Sequence, residues 1–285
     1  MILMRTGHGK TSFSLGAARQ AGYKIANGTT GVENPVIVYV TLEQQVEYME
    51  LMLAGNSEYD SSQLIKGEVE PILYNKWATN RTNLPLWVIG QSRQHSDVKQ
   101  PDLYLETIIE GINVIKYEEK FNPILVYVDY LQKIRLMDGS WNNMNKQVIE
   151  ASRALKAMAM NLDVPVIFNS QASQDVDDRK DKIPKLNDSM WASESGHESD
   201  IVVTGMRPSR YWSPVTDPYV TINNVQYIND DTTLVLQVQK QRFGPGWGTV
   251  AVKFVPQTLV ISDPGVVDIN RSESWQQDDI FNDDL

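Results

Sequence analysis

The chain of 285 residues is 41% hydrophobic and 22% charged, with 17 Gly, 13 Pro and no Cys, an ordinary globular composition that excludes a disordered or collagen-like chain and any disulfide or thiolate metal site. Its 26 Lys and Arg against 36 Asp and Glu leave a net charge of −10 and a pI near 4.8, so the chain taken whole should repel nucleic acid and anionic membranes. The longest apolar stretches, residues 35–40 and 123–128, fall far short of the roughly 20 residues of a membrane span, residues 1–10 lack the apolar core of a signal peptide, and the absence of Cys suits a reducing cytoplasm.

Along the chain, short apolar runs alternate with helical patterns, the signature of an α/β fold with a mostly parallel sheet flanked by helices. A short apolar start, Ile2 to Met4, leads into Gly7-His8-Gly9-Lys10-Thr11 and then into a helical stretch from Ser12 to Ala18. Strands follow at residues 36–40 and 86–89, both continuous enough to be buried on two faces. Leu105, Ile108, Ile109, Ile112 and Ile115 recur at helical spacing, residues 124–128 form a strand that ends in Asp129, and Val148, Ala151, Leu155, Met158 and Leu162 make a second helical stripe. Strands are expected at 164–168, leading to Asn169, Ser170 and Gln171, and at 201–203. After Arg207 the chain turns aromatic and rich in Pro and Asn, and residues 233–239 and 249–255 then flank Gly-Pro-Gly-Trp-Gly as a β-hairpin. Residues 1–265 read as one domain. Residues 266–285 carry six acids against one base, half of the net charge, and read as a disordered tail.

Strand, Gly-rich turn, Lys-Thr and helix in that order form a phosphate-binding loop. The glycines let backbone N–H groups close around phosphate oxygens, Lys10 reaches the outer phosphates and the Thr11 hydroxyl ligates Mg2+. Met4 stands where the general pattern has its first Gly. Asp129, at the end of a buried strand, is placed to meet the same metal, although a strand-terminal Asp also serves as a turn former or cap. Glu43 follows the 36–40 strand and could orient an attacking water; equally, Thr41 and Gln44 have capping-box spacing, and an acid in a first helical turn is favourable for no functional reason. Gln171 presents a neutral amide at the same sheet edge. Lys240 and Arg242 point the same way from one strand, which by itself reads as a solvated edge that discourages aggregation. His8, His95 and His197 make no ligand-spaced cluster.

In this order and spacing, the blocks Arg5-Thr6-Gly7-His8-Gly9-Lys10-Thr11-Ser12-Phe13, Val40-Thr41-Leu42-Glu43, Val126-Tyr127-Val128-Asp129-Tyr130-Leu131-Gln132, Ser170-Gln171 and Lys240-Gln241-Arg242-Phe243-Gly244-Pro245 resemble the RecA-like ATPase domain of DnaB-type replicative DNA helicases. The Asp-Tyr-Leu-Gln and Lys-Gln-Arg-x-Gly-Pro blocks discriminate, since a phosphate loop alone is shared by very many ATPases and GTPases. The likeness runs from Met1 to about Pro264, with the strand ahead of the loop reduced to its last residues and the family's preceding helical domain and linker helix without a counterpart in this sequence. It implies a RecA-like P-loop fold and Mg2+·ATP bound by Gly7, His8, Gly9, Lys10, Thr11 and Ser12, with Thr11 and Asp129 on the metal. Glu43 becomes the catalytic base and Gln171 the γ-phosphate sensor. Lys240 and Arg242 are assigned to the neighbouring subunit's nucleotide, which requires a head-to-tail homo-oligomer, a hexameric ring or a helix.

Single-stranded DNA is expected in the central channel against residues 138–146 and 173–191, the latter carrying Arg179, Lys180, Lys182 and Lys185 among several acids, a set that also reads as a solvated mixed-charge surface. Asp188-Ser189-Met190-Trp191-Ala192-Ser193 stands where the family has Asp-Leu-Arg-Glu-Ser-Gly, so its charged pair is missing. Residues 211–227 look like an insertion. The acidic tail is similar to tails that dock primase, polymerase or other replisome proteins, or it merely solubilises the chain. A RecA-like recombinase or clock-type assembly, and a nucleotide-dependent interaction module with little turnover, are the alternative functions.

Overall fold

The computed structural model describes residues 1–28, 30–55, 61–93, 103–137, 143–191, 195–244 and 248–263. In chain order the elements are β1 (Ile2–Met4), α1 (Lys10–Ala26), β2 (Pro35–Thr41), α2 (Val46–Ala54), α3 (Ser61–Lys66), α4 (Pro71–Thr82), β3 (Leu86–Ile89), α5 (Leu105–Tyr117) and β4 (Asn122–Asp129). They continue with α6 (Met144–Leu162), β5 (Val166–Gln171), α7 (Ser195–Glu198), β6 (Ile201–Met206), β7 (Tyr219–Ile222), β8 (Val225–Ile228), β9 (Thr233–Gln241), β10 (Gly248–Val255) and β11 (Val260–Ser262).

Nine strands form one sheet in the order β11-β10-β9-β6-β1-β5-β4-β2-β3. The six strands from β6 to β3 are parallel, and β9, β10 and β11 are added antiparallel on the β6 side, so the expected C-terminal hairpin is β9–β10. β2 explains how short strands are buried twice. Val36, Val38 and Val40 face the core under α5 and α6, while Ile37 and Tyr39 face the core under α1 and α2, as the two-residue period of a strand dictates. β1 is three residues long and still central, with Leu3 and Met4 fully buried between β5 and β6.

β5 runs from Val166 to Gln171 where the apolar run suggested residues 164–168. Val164 belongs to the helix exit, its N–H bonded to the Ala159 carbonyl, and the polar Asn169 and Ser170 extend the strand because their buried side chains are hydrogen-bonded. Among the described residues, α3 and α4 had no counterpart in the sequence reading, and α2 had only the helix start implied by the capping-box spacing of Thr41 and Gln44. α4 buries no side chain and leaves Ile72 and Tyr74 exposed, so it carries no apolar stripe to read. The stretch read as an insertion holds β7 and β8, a separate two-stranded sheet whose turn, Asn223-Asn224, has positive φ at both positions (52° and 64°), the geometry of the hairpin turns that Asn tolerates. The tail, residues 266–285, and residues 138–142 lie outside the described residues.

Candidate functional site

Gly7 (φ 82°) and Gly9 (φ 85°) turn the chain between β1 and α1. A Cβ on Gly9 would meet the Phe254 ring at 2.8 Å, so the turn is held against β10 by a contact only Gly permits. No side chain caps α1, which leaves the N–H groups and positive dipole end of its first turn directed to the carboxyl edge of the sheet. Met4 occupies the place of the absent first Gly without strain. It lies in β1, fully buried, opposite Gly205 of β6, where a Cβ would stand 2.6 Å from the Met4 Cε, so the glycine on the neighbouring strand leaves room for the Met4 side chain.

Lys10 is half-buried, its Nζ 4.6 Å from the Tyr130 ring centroid, and it has no hydrogen bond or ion pair with any described residue. Burial lowers its pKa, and the negative charges of Asp129 and Glu43 oppose that shift. Asp129 is 1% exposed at the end of β4. Its Oδ1 accepts Asn169 Nδ2 at 2.8 Å, and the same Nδ2 donates to Ser14 Oγ at 2.8 Å; Ser14 Oγ lies 2.8 Å from Tyr39 Oη, which reaches Asp129 Oδ2 at 3.5 Å. The carboxylate is thereby held by β5 and β2, whose two side chains are joined through Ser14 of α1.

Glu43 sits in the loop after β2, exposed, and is carried toward Asp129 because the Leu42 N–H donates to the Asp129 carbonyl at 2.8 Å. The alternative reading of Glu43 as a first-turn acid is corrected here: α2 begins at Val46, its first-turn acid is Glu47, and Thr41 Oγ1 bonds both the N–H and the carbonyl of Gln44 in a turn ahead of the helix. A polar cavity of about 230 Å3 opens beside Glu43 toward Gln91 and Lys133. A larger apolar cavity, about 600 Å3, lies around Ile2, Val166, Phe168 and Ile201 at the opposite edge of the sheet.

Gln171 ends β5 level with Met4. Its backbone is clamped by the buried Gln132, whose Oε1 accepts the Gln171 N–H at 3.2 Å and whose Nε2 donates to Ser170 Oγ at 3.0 Å and to the Met190 carbonyl at 3.3 Å. Gln132 was legible only as part of a motif, because the partners that make it a clamp are 38 to 58 residues away.

The fold thus brings together the phosphate loop, Asp129, Glu43 and Gln171, and it keeps Lys240 and Arg242 apart from them. These two pair with the start of β6, at the amino ends of the parallel strands. Lys240 Nζ donates to the His197 carbonyl at 2.7 Å, and Arg242 Nη1 to Asp200 Oδ1 at 2.8 Å. Of the cations in residues 173–191, Arg179 grips Asp188 at 3.0 and 2.7 Å, Lys185 pairs with Asp181 at 2.9 Å and Lys182 donates to the Asp177 carbonyl. Lys180 is exposed. No group of three or more metal-ligating side chains is preassembled among the described residues, and no described helix is long and apolar enough to cross a membrane.

The chain is similar over 258 residues to the replicative DNA helicase DnaB of Geobacillus stearothermophilus (26% identity, 90% of this chain, 50% of that protein) and to the replicative DNA helicase DnaC of Bacillus subtilis (28%, 90% and 50%). With the Rickettsia bellii DnaB helicase it shares 31% over 215 residues, 73% of this chain and 41% of that one. The chain therefore spans about half the length of the curated relatives it matches. Among solved structures, an ATPase domain superposes with a TM-score of 0.71 at 20% identity, covering 92% of this chain and 83% of that one. A DnaB-like replicative helicase, studied with its primase interactions, gives 0.68 at 20% identity, covering 92% and 56%; the two share this fold. The sequence profile of the DnaB-like helicase C-terminal domain matches residues 1–263, so this chain belongs to that family.

Proposed function

We propose that residues 1–265 are the ATP-hydrolysing motor of a replicative DNA helicase, acting on single-stranded DNA within a homo-oligomer. The observation that carries this reading is the convergence of Lys10, Asp129, Glu43 and Gln171 at one sheet edge, with the Lys10 ammonium half-buried and unpaired among the described residues. A cation so placed is costly until an anion meets it, and the uncapped α1 terminus attracts the same anion. In this reading the backbone from Gly7 to Ser12 encloses the phosphates of ATP, and Lys10 holds the outer ones. The Thr11 hydroxyl and the Asp129 carboxylate are two hard oxygen donors, the number a Mg2+ ion commonly takes from protein while phosphate and water oxygens fill its shell. Bound there, the ion neutralises phosphate charge. Glu43 orients the attacking water and accepts its proton, and the Gln171 amide donates to the terminal phosphate.

Lys240 and Arg242 serve a neighbouring copy. Their place at the opposite edge of the sheet supports this, since a head-to-tail contact stacks one edge on the other and closes into a ring such as a hexamer. Residues 173–191 lie on the DNA side, with Lys180 the most available of Arg179, Lys180, Lys182 and Lys185. Primase is the partner class favoured by the solved relative's primase interactions. ATP hydrolysis is expected to rise on adding single-stranded DNA and to vanish in Lys10→Ala. Turnover that ignores both DNA and the substitution would overturn the reading, and ATP-dependent filaments without unwinding would point to the recombinase or clock-type assembly.

A further inference from the structure

Two side chains of the phosphate loop point away from the space in which a phosphate would lie. Arg5 reaches residue 177: its Nε is 3.1 Å from both carboxylate oxygens of Asp177, its Nη2 is 2.6 Å from Oδ2, and its Nη1 donates to the Ala172 carbonyl at 3.0 Å. Asp177 Oδ1 also accepts the Tyr211 hydroxyl at 2.7 Å. The Tyr211 ring packs on His8 with centroids 5.0 Å apart, and His8 Nδ1 accepts the Arg207 N–H at 2.9 Å. Lys182 Nζ lies 5.5 Å from the Tyr211 ring centroid and donates to the Asp177 carbonyl. The contacts form a closed circuit that leaves the phosphate loop at Arg5, crosses Asp177 and Tyr211, and returns at His8.

We propose that Asp177, fixed by Tyr211, is a positioning residue that makes the phosphate loop and residues 173–191 move as one unit, so that nucleotide binding is felt in residues 173–191. This deepens the motor reading and rests on it. The pair contributes to stability, since the Arg5 side chain is 12% exposed against 39% for Asp177, but stability alone does not call for a phenol on the same carboxylate. What the arrangement does supply is direction, since a guanidinium fork and a phenol on one carboxylate define a single orientation. The β7–β8 segment supports it from behind. Tyr211 and Trp212 pack with Ile183, Val220, Ile222 and Tyr227 in one small core, tying residues 173–191 to the stretch read as an insertion.

The test is backbone hydrogen exchange of residues 173–191 in the full chain, with and without a non-hydrolysable ATP analogue and Mg2+, alongside the analogue's Kd. In the native chain the analogue is expected to slow exchange there by at least about fivefold, the lower end of typical site-to-site coupling. In Asp177→Asn that response disappears and in Tyr211→Phe it weakens, while Kd stays within about threefold and Asp177→Glu restores the response. A merely structural role would instead weaken binding of the analogue and lower the melting temperature together. Persistence of the response in both variants, or a native loop that ignores a bound analogue, overturns the inference while leaving the motor reading intact; an analogue that does not bind the native chain overturns both. Tyr211→Phe keeps the Arg5–Asp177 pair, so the test survives if Asp177→Asn fails to fold.

Discussion

His8 is a residue of the Gly-rich loop whose side chain packs into the protein against Tyr211. It is 4% exposed, and burial first, then the neighbouring Arg210, pushes its pKa from 6.5 down to about 4; its neutral Nδ1 is the acceptor that ends β6 correctly. Because the native value lies below the unfolded one, the unfolded chain takes up the proton first on acidification. Stability should be complete above about pH 6.5 and decline toward pH 4, by at most roughly 3 kcal/mol from this residue. Urea midpoints at pH 7 and pH 5 will show the decline, and His8→Asn should reduce it; an equal decline in the variant would place its source elsewhere. From sequence, His8 was simply a loop member, since nothing local announces that its imidazole faces Tyr211, some two hundred residues on. Met4 gives the complementary lesson: the departure from the phosphate-loop pattern is accommodated by Gly205, which local sequence does not connect to it.

At the scale of elements, α1 is set by close approach to the added antiparallel strands. A Cβ on Gly16 would lie 2.7 Å from the Leu259 carbonyl oxygen and 3.3 Å from Ile261, and backbone cannot rotate away as a side chain can. Gly16→Ala is therefore expected to destabilise the fold by about 1–3 kcal/mol through overpacking, despite alanine's better helix propensity, and to lower the urea midpoint. A midpoint that rises would mean the helix shifts freely over β11. The strands that carry Glu43 and Asp129 were legible because β2 and β4 are continuous runs rich in β-branched and aromatic residues, largely buried between the helical layers. α3, α4 and β7–β8 were not: α4 packs no stripe inward, and β7–β8 depends on an Asn-Asn turn and on a core shared with the distant Ile183.

Over the whole molecule, the parallel sheet separates two chemistries by its own length. The phosphate loop, Asp129, Glu43 and Gln171 lie at the carboxyl ends of the strands, whereas Lys240, on an antiparallel strand, and Arg242, just past its end, are delivered to the amino ends. Arg242→Ala should therefore leave ATP affinity of the isolated subunit unchanged while cutting turnover of the assembled form by roughly 10^3 to 10^5-fold, the range of trans-acting arginines. Fluorescent nucleotide titration and steady-state ATPase assays separate the two quantities. Loss of affinity in the isolated subunit would sink the trans assignment. The acidic balance fits the same picture, with five of the ten net negative charges in residues 266–285 and two of the four cations of residues 173–191, Arg179 and Lys185, held by internal acids.

Taken alone, the sequence determined the α/β class and the strand–turn–helix motif around Lys10 and Thr11, because a Gly-rich turn and buried parallel strands leave short-range patterns in composition and spacing, whereas Glu43 and Gln171 stood out only through the resemblance to a family. Tertiary structure decided which of the remaining polar residues face a site and which staple the fold. Arg179, His8, Gln132 and Asp177 acquire their roles from partners brought near by strand pairing, and contacts across a sheet leave no periodic trace along the chain.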